Sequence, residues 1–351
     1  MAEQQGSRAE TGPDIGQDTG ARTGPVRIVD VALAAGVSVA TVSKSLNGRP
    51  DVSAETRERV RAVAERLNFR PNTQARSLST GRSFAVGLLT TDIYGRFSLP
   101  LLLGAEDEFG DGDLAVIFSD TRGDPQREAR QLQSLVNRQV DGIIVNGRRI
   151  ELRPALPDTG GIPVVYALTG SSDPRDCSVV PDEAGGAVLA VSHLLETGRR
   201  RVAHVTGPRR HKSASVRAEA TRSHLNDHGL SVRGRTRFGA WTEIWGRAAT
   251  EQLLETAPDV DAVFCGSDQI ALGVLDTLRE TGRRVPDDVA VVGFDNWTVM
   301  AESSRPPLTS VDLDIERIGR LAARHLVNAI EGGEPPRRTV VTPRLVLRES
   351  G

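Results

Sequence analysis

From Phe84 onward, short apolar runs alternate with amphipathic stretches, and this alternation limits the possible folds more than any other feature of the chain. The runs FAVGLL (84–89), LAVIF (114–118), GIIV (142–145), PVVYA (163–167), RVAHV (201–205), AVFC (262–265) and VAVVG (289–293) have the length and composition of buried strands. The stretches near 98–109, 126–139, 184–197, 214–228, 244–256, 268–281 and 315–330 read as helices. Strands alternating with helices form a mainly parallel sheet covered on both faces. The extent of the pattern, in two similar halves, predicts two doubly wound lobes. Ligands of such folds sit outside the carboxyl ends of the strands, and a cleft between lobes is a usual binding site.

The preceding segment is different. Ile28–Ala35 carries Ile28, Val31, Ala32 and Ala35 on one helical face, and Gly36 ends the helix and permits a tight turn. Ser38 stands at an N-cap position, with Val39–Leu46 as a second helix whose Val42 and Leu46 face inward. Ser53 caps a third helix to Leu67, with Val60, Ala64 and Leu67 inward, and Pro71 stops the run. Helix, glycine turn, helix is a helix-turn-helix arrangement. Its second helix would expose Val39, Ala40, Thr41, Ser43, Lys44 and Asn47. Lys44 suits guanine O6/N7, Val39 and Ala40 suit a thymine methyl, and the hydroxyls of Ser38, Thr41 and Ser43 suit phosphates. Read alone, the same pattern fits an ordinary helical hairpin with a solvated polar face.

Charge favours the DNA reading. The chain has a net charge of −2, but residues 26–82 hold ten Lys/Arg against five Asp/Glu. A basic head on a mildly acidic body is the distribution of a DNA-binding regulator. At 351 residues the chain suits two or three domains. Residues 1–25 hold almost no large apolar side chains and are expected to form a disordered tail. They lack the basic start and apolar stretch of a secretory signal, and no apolar run of membrane-spanning length occurs, so a cytoplasmic (nucleoid-associated) protein is expected. Cys177 and Cys265 are far apart and read as buried free thiols.

The run Asp30-Val31-Ala32, Ala35-Gly36-Val37-Ser38, Thr41-Val42-Ser43, Leu46-Asn47, Val52-Ser53, Thr56-Arg57, Leu67-Asn68-Phe69, Pro71-Asn72 and Ala75-Arg76 closely resembles the lactose-repressor/galactose-repressor family of transcriptional regulators. Weaker likeness continues to about Leu347. The resemblance implies an N-terminal all-α helix-turn-helix head at 26–70, a hinge helix at 71–82 and a periplasmic-binding-protein-like body at 83–351. The body would divide into a first lobe of about 83–184 plus 312–338 and a second of about 185–311 plus 339–350. It implies that Asn72–Thr80 becomes helical on operator DNA, with Leu78 as an apolar wedge between base pairs, at a cost of roughly a few kcal/mol recovered from bending. The alternative for Leu78 is a linker residue packed on the body. The implied DNA-binding set is Ser38, Val39, Ala40, Thr41, Ser43, Lys44, Asn47, Arg57, Asn72, Ala75, Arg76 and Leu78, acting in a homodimer on a near-palindrome.

In the body, segments 92–97, 266–273, 292–297 and 306–311 resemble family segments at strand carboxyl ends. The resemblance makes Arg217, Trp241 and Asp295 the foremost ligand contacts, with Asp92, Phe97, Asn146 and Ser267 beside them and Trp245, Trp297 and Tyr94 as secondary candidates. Arg and Asp supply bidentate partners for paired hydroxyls, and Trp an apolar platform. Alternatively, Trp241 is a core aromatic, Arg217 pairs with a helix acid and Asp295 caps the following helix. Tyr94-Gly95-Arg96 departs from the family pattern, and Arg96 either favours an anionic ligand or pairs with Asp92 or Glu106. Arg148-Arg149 and Arg209-Arg210 add positive charge beside strand ends.

Catalytic signatures are missing: there is no GxSxG, HExxH, Walker A or GxGxxG run. The six histidines lack metal-ligand spacing; His224 and His228, four apart, read as a solvent-facing pair. The reading is a non-enzymatic transcriptional regulator, expected to be a repressor. It needs no cofactor, metal or membrane, and its operator affinity responds to a small effector, expected to be a sugar or sugar derivative. The rivals are a solute-binding protein of a transport system, a corepressor-dependent regulator of a non-sugar metabolite, and a sugar-modifying enzyme fused to a regulator head.

Overall fold

The computed structural model describes residues 26–46, 51–69, 81–92, 95–110 and 114–351. The expected tail at 1–25, most of the hinge segment, and Asn47, Pro71, Asn72, Ala75, Arg76, Leu78 and Tyr94 lie outside the described residues. The chain divides into two compact units, Met1–Ser79 and Thr80–Gly351.

The first unit contains α1 (Ile28–Ala35), α2 (Val39–Leu46) and α3 (Ala54–Arg66). Asp30 reaches back to the Arg27 amide at 2.8 Å and so starts α1. Gly36 ends it at φ 66°, a left-handed conformation that glycine adopts without penalty. Ser38 accepts from the Thr41 amide at 3.1 Å and opens α2. The two helices meet at 101°, within the range of helix-turn-helix pairs. Ser53 accepts from the Thr56 amide at 3.3 Å and caps α3. Val31, Ala32, Ala35, Val42, Val60, Val63 and Ala64 form the shared core. All three helices and both serine caps match the sequence reading.

The second unit holds two six-stranded sheets. The first runs in the order β13 (Arg338–Val341), β7 (Cys177–Pro181), β5 (Val164–Ala167), β3 (Gly142–Asn146), β1 (Ala85–Thr90), β2 (Ala115–Asp120), all parallel. The second runs in the order β14 (Arg344–Val346), β12 (Thr309–Asp312), β11 (Ala290–Phe294), β10 (Ala262–Cys265), β8 (Val202–Thr206), β9 (Arg237–Phe238). It is parallel except where β14 runs against β12. A two-stranded ladder joins β4 (Leu152–Arg153) to β6 (Gly170–Ser171). Strands β3, β8, β10 and β11 are buried along their whole length, which is why they read as continuous apolar runs rather than alternating ones; β7 is equally buried but mixes Cys, Ser and Pro with its two valines.

Helices cover both faces of each sheet. α4 (Ser98–Phe109) packs on α11 (Ile315–Ile330), which lies on β3, β5 and β7, while α5 (Pro125–Asn137) lies on β1 and β2. In the second lobe α6 (Glu183–Glu196) packs on α7 (Lys212–Asp227) and on β11, β12 and β14. On the other face α8 (Glu243–Thr256) packs on α9 (Asp268–Glu280), followed by the short α10 (Thr298–Ala301). The helix contacts need glycines: a Cβ on Gly104 would stand 1.9 Å from the Glu316 carbonyl oxygen, and one on Gly319 2.1 Å from that of Leu101.

The chain passes between lobes three times, after β7, after β12 and between β13 and β14. The last crossing falls later than the expected residue 338. Arg338–Val341 pairs with Ser178–Pro181 in the first sheet, so residues 339–341 belong to the first lobe rather than the second. Among the described residues no single helix is long and apolar enough to cross a membrane.

Candidate functional site

A cavity of about 140 Å³ lies between the two lobes, at the carboxyl ends of β1, β3, β8, β10 and β11. The first lobe contributes Asp92, Arg96 and Phe97 from the segment after β1, and Arg148 and Arg149 from the segment after β3. Ser213 and Arg217 come from α7, and Trp241 from the loop before α8. Ser267 and Gln269 stand at the start of α9, and Asp295 and Trp297 follow β11.

Asp92 owes its position to α4. Its Oδ2 accepts from the amides of Phe97 at 2.6 Å and Ser98 at 2.9 Å, the first donors of that helix. Arg96 extends from the same turn across the cleft. It donates to the carboxylate of Asp295 and, through Nη1, to Gln269 Oε1 at 2.9 Å. Its guanidinium lies over the rings of Phe97 at 4.8 Å and Trp297 at 5.4 Å. Burial lowers the Arg96 guanidinium to about 10, against the pull of Asp268. The partner of Arg96 is thus neither Asp92 nor Glu106 but a carboxylate of the opposite lobe.

Arg217 is 4% exposed on α7. Its Nε donates to Glu183 at the start of α6, its Nη1 to the Gly266 carbonyl at 2.5 Å, and its Nη2 stands 3.7 Å from Asp295 Oδ1. The pairing with a helix acid exists, yet the same guanidinium still faces the cavity and lies 3.6 Å from the centre of the Phe294 ring. Asp295 has φ 98°, a conformation that costs a non-glycine residue of order 1–3 kcal/mol and recurs at functional sites. Its amide donates to the Val311 carbonyl at 2.8 Å, which ties the turn to β12. It does not cap the next helix. That helix has Trp297 at its N-cap and no side-chain cap, and Asp268 holds the turn before it, accepting from the Trp297 amide at 2.6 Å and from Ser310 Oγ at 2.5 Å. Full burial raises the Asp268 carboxyl to about 6.

Trp241 is both a core and a cavity side chain. One edge packs on Gly207, where a Cβ would come within 2.1 Å of the indole, and its Nε1 donates to His211 Nδ1 at 2.8 Å. Burial lowers His211, as do Arg149, Arg210 and Arg148 near it. Ser267 caps α9 through the Ile270 amide at 3.3 Å.

Of the ligand residues expected from sequence, Asp92, Phe97, Arg217, Trp241, Ser267 and Asp295 come together here, as does Trp297. Asn146 does not: its amide donates to Thr90 Oγ1 at 3.1 Å, and it lines a neighbouring cavity of about 280 Å³. Trp245 packs on Gly239 and donates to the Thr206 carbonyl at 3.0 Å, away from the cavity. Ser213 and Gln269 were missed. Their signal was positional, since each lies in the first turn of a helix that follows a strand of the second sheet. The His224 and His228 rings lie 4.6 Å apart, with His224 Nε2 2.8 Å from Ser192 Oγ. Among the described residues no three His, Cys, Asp or Glu gather as a metal site, and both cysteines are buried and free.

In the first unit, Ser38, Val39, Ala40 and Lys44 are exposed, and Thr41, Ser43 and Arg57 are half-buried. Lys44 pairs with Asp51 at 2.6 Å. Arg57 donates to the Val52 carbonyl at 3.1 Å and so braces the start of α3.

Residues 27–72 match the family described as bacterial regulatory proteins, lacI family, and residues 191–351 match the periplasmic binding protein-like domain. The HTH-type transcriptional regulator CelR of Thermobifida fusca is 37% identical over 92% of this chain and 97% of its own length. Catabolite control protein A of Priestia megaterium is 35% identical over 86% of this chain and 91% of its own. Two solved structures share the fold. One is a transcriptional regulator CelR–cellobiose complex, with TM-score 0.65 and 34% identity over 93% of this chain and all of that one. The other is a lac repressor dimer bound to operator and the anti-inducer ONPF, with TM-score 0.71 and 26% identity over 93% of this chain and 99% of that one. Matched along nearly its whole length to such proteins, the chain belongs to the lacI family and is a DNA-binding transcriptional regulator.

Proposed function

We propose that this regulator is a cytoplasmic, homodimeric repressor of a near-palindromic operator, and that a small molecule in the cavity between its lobes sets its operator affinity. Ser38, Val39, Ala40, Thr41, Ser43, Lys44, Asn47 and Arg57 would meet DNA from the head, and Asn72, Ala75, Arg76 and Leu78 from the hinge. Lys44 would exchange Asp51 for a base or phosphate. The lac repressor relative is a dimer on operator, which supports the dimer and the palindrome.

The effector is proposed to be a sugar or sugar derivative held by Arg217, Asp295 and Trp241, with no turnover. The observation that carries this is the pairing of buried charge with indole faces at the strand ends. Arg217, 3.7 Å from Asp295, lies over the Trp241 ring, and Arg96 lies over that of Trp297, in one crevice between lobes. That combination suits a molecule with polar edges and apolar faces. The cellobiose complex of CelR supports the sugar class. Ligand-driven movement of one lobe against the other would change the spacing of the two hinge segments in the dimer. The lobes are joined at three crossings, so such movement is a hinge closure.

The test is selection and sequencing of genomic fragments bound by the full chain at near-physiological salt, with and without added metabolites. Enrichment of one near-palindrome that a metabolite abolishes or strengthens is the expected result. Weak, salt-sensitive binding without a motif under every condition overturns the proposal.

A further inference from the structure

One oxygen of each carboxylate in the cavity is already engaged by the protein. A neutral sugar is held chiefly by carboxylate oxygens free to accept from hydroxyls. Here Asp295 Oδ2 accepts from Arg96 while its Oδ1 stands 3.7 Å from Arg217 Nη2, and Asp92 Oδ2 is committed to the first amides of α4. Gln269 has given its carbonyl to Arg96, which leaves its amide group facing the cavity. Arg96 Nε and Ser213 Oγ are buried without a hydrogen-bond partner. What remains for a ligand is the second oxygen of each carboxylate, the Ser213 hydroxyl and the N–H groups of Arg96, Arg148 and Arg149.

The charge points the same way. Four arginines and two aspartates line the cavity. Arg96 is matched by Asp295 and Arg217 by Glu183, whereas Arg149 has only the half-buried Glu151 at 3.2 Å. Arg148 has no hydrogen-bond or ion-pair partner among the described residues. His211 at the rim is lowered chiefly by burial, with Arg149, Arg210 and Arg148 adding to it and Glu151 opposing. Arg148 is exposed at the rim and stays solvated, whereas the Arg96 N–H and Ser213 hydroxyl, buried and without a partner among the described residues, are costly until a ligand meets them.

We infer that the effector is an anionic saccharide, whose carboxylate or phosphate sits on Arg148 and Arg149 while its ring lies on Trp241. Arg96 is then the residue that sets specificity. It neutralises the carboxylate a neutral sugar would use and offers its own N–H groups to the acidic one. The inference rests on the effector reading above and narrows its ligand class.

The full chain is incubated with a cellular metabolite extract, washed, and its retained small molecules are identified by mass spectrometry. The retained compound and its matched neutral sugar are then titrated calorimetrically, with acetate and inorganic phosphate as bare anions. The expected catch is a sugar acid or a sugar phosphate, and its identity decides between the two anions. Its affinity should exceed that of the neutral sugar about 10- to 100-fold, as hydrogen bonds to charged groups warrant. The Arg148→Gln/Arg149→Gln double variant should shrink that ratio to within a few-fold, and Arg96→Gln should reduce it separately. Retention of a neutral saccharide overturns the anion assignment and leaves the effector reading standing. A ratio that survives the double variant, or bare phosphate binding as tightly as the saccharide, also overturns it. Retention of no small molecule overturns both readings of the cavity, while the operator selection continues to test DNA binding on its own.

Discussion

Two buried titratable groups of the second lobe oppose one another as pH falls. Asp268 titrates at about 6 because burial disfavours its charge, so its contribution to stability is complete below the ordinary carboxyl value and lost as pH rises through 6. His204, stacked on Phe264 and fully buried, is lowered to about 4. Its contribution is complete above the ordinary histidine value and lost as pH falls through 4. Asp268→Asn should therefore unmask the histidine. Between pH 6.5 and 4 the variant should lose stability more steeply than the parent, by at most about 1.4 kcal/mol per pH unit. Urea midpoints at pH 4.5 and 7 give the comparison, and a constant gap between the two proteins would sink the assignment. Gly207→Ala tests the Trp241 platform. The added methyl meets the indole, so overpacking should cost about 1–3 kcal/mol and push the ring into the cavity. Effector affinity in titration calorimetry should fall at least about tenfold. Arg217, Trp241 and Asp295 are named from family resemblance, and all three line the cavity; of them Asp295 alone lies in one of the segments singled out after a strand. The partner of Arg96 was not legible, because no local pattern encodes a contact between residues 96 and 295, which lie in different lobes. Asn146 shows the opposite case: it ends β3 on the cavity side of the sheet, yet its amide turns toward Thr90.

At the level of elements, helices were readable from their 3.6-residue period and most buried strands from their continuous apolar runs. Short or mixed strands were not. Cys177–Pro181 has no run of large apolar residues, and β13 and β14 are short edge strands with arginines at their starts. That is why the last crossing was placed too early. Helix contacts rest on small residues that no period reveals. Gly104 and Gly319 let α4 and α11 meet backbone to backbone, and Gly246 and Gly273 do the same for α8 and α9. Gly319→Ala should destabilise the second unit by about 1–3 kcal/mol. It should lower that unit's transition in calorimetry and leave the head's transition in place. Ser53→Ala should do the reverse, costing the head about 1 kcal/mol through the lost cap of α3. A single transition that shifts equally in both variants would contradict the division of the chain into two units.

For the whole molecule, the consequence of sensing is thermodynamic. If a saturating effector changes operator affinity by some factor, saturating operator must change effector affinity by the same factor, typically about 5- to 150-fold. Titrations of each ligand with and without the other, at one protein concentration, measure both factors. Unequal values would require a further linked step such as subunit dissociation. The three crossings between lobes also bear on how the protein is made. The head is a continuous stretch of chain and can fold as soon as it emerges from the ribosome. Neither lobe has that freedom, because β13 closes the edge of a sheet whose other strands were synthesised much earlier, and β14 then closes the second. Until both are in place the nascent chain carries a DNA reader attached to an unfinished sensor, with the β7 and β12 edges open to pairing with another chain. The order of synthesis thus leaves the edges of two nearly complete sheets exposed until their last strands follow, a window in which pairing between chains competes with pairing within one.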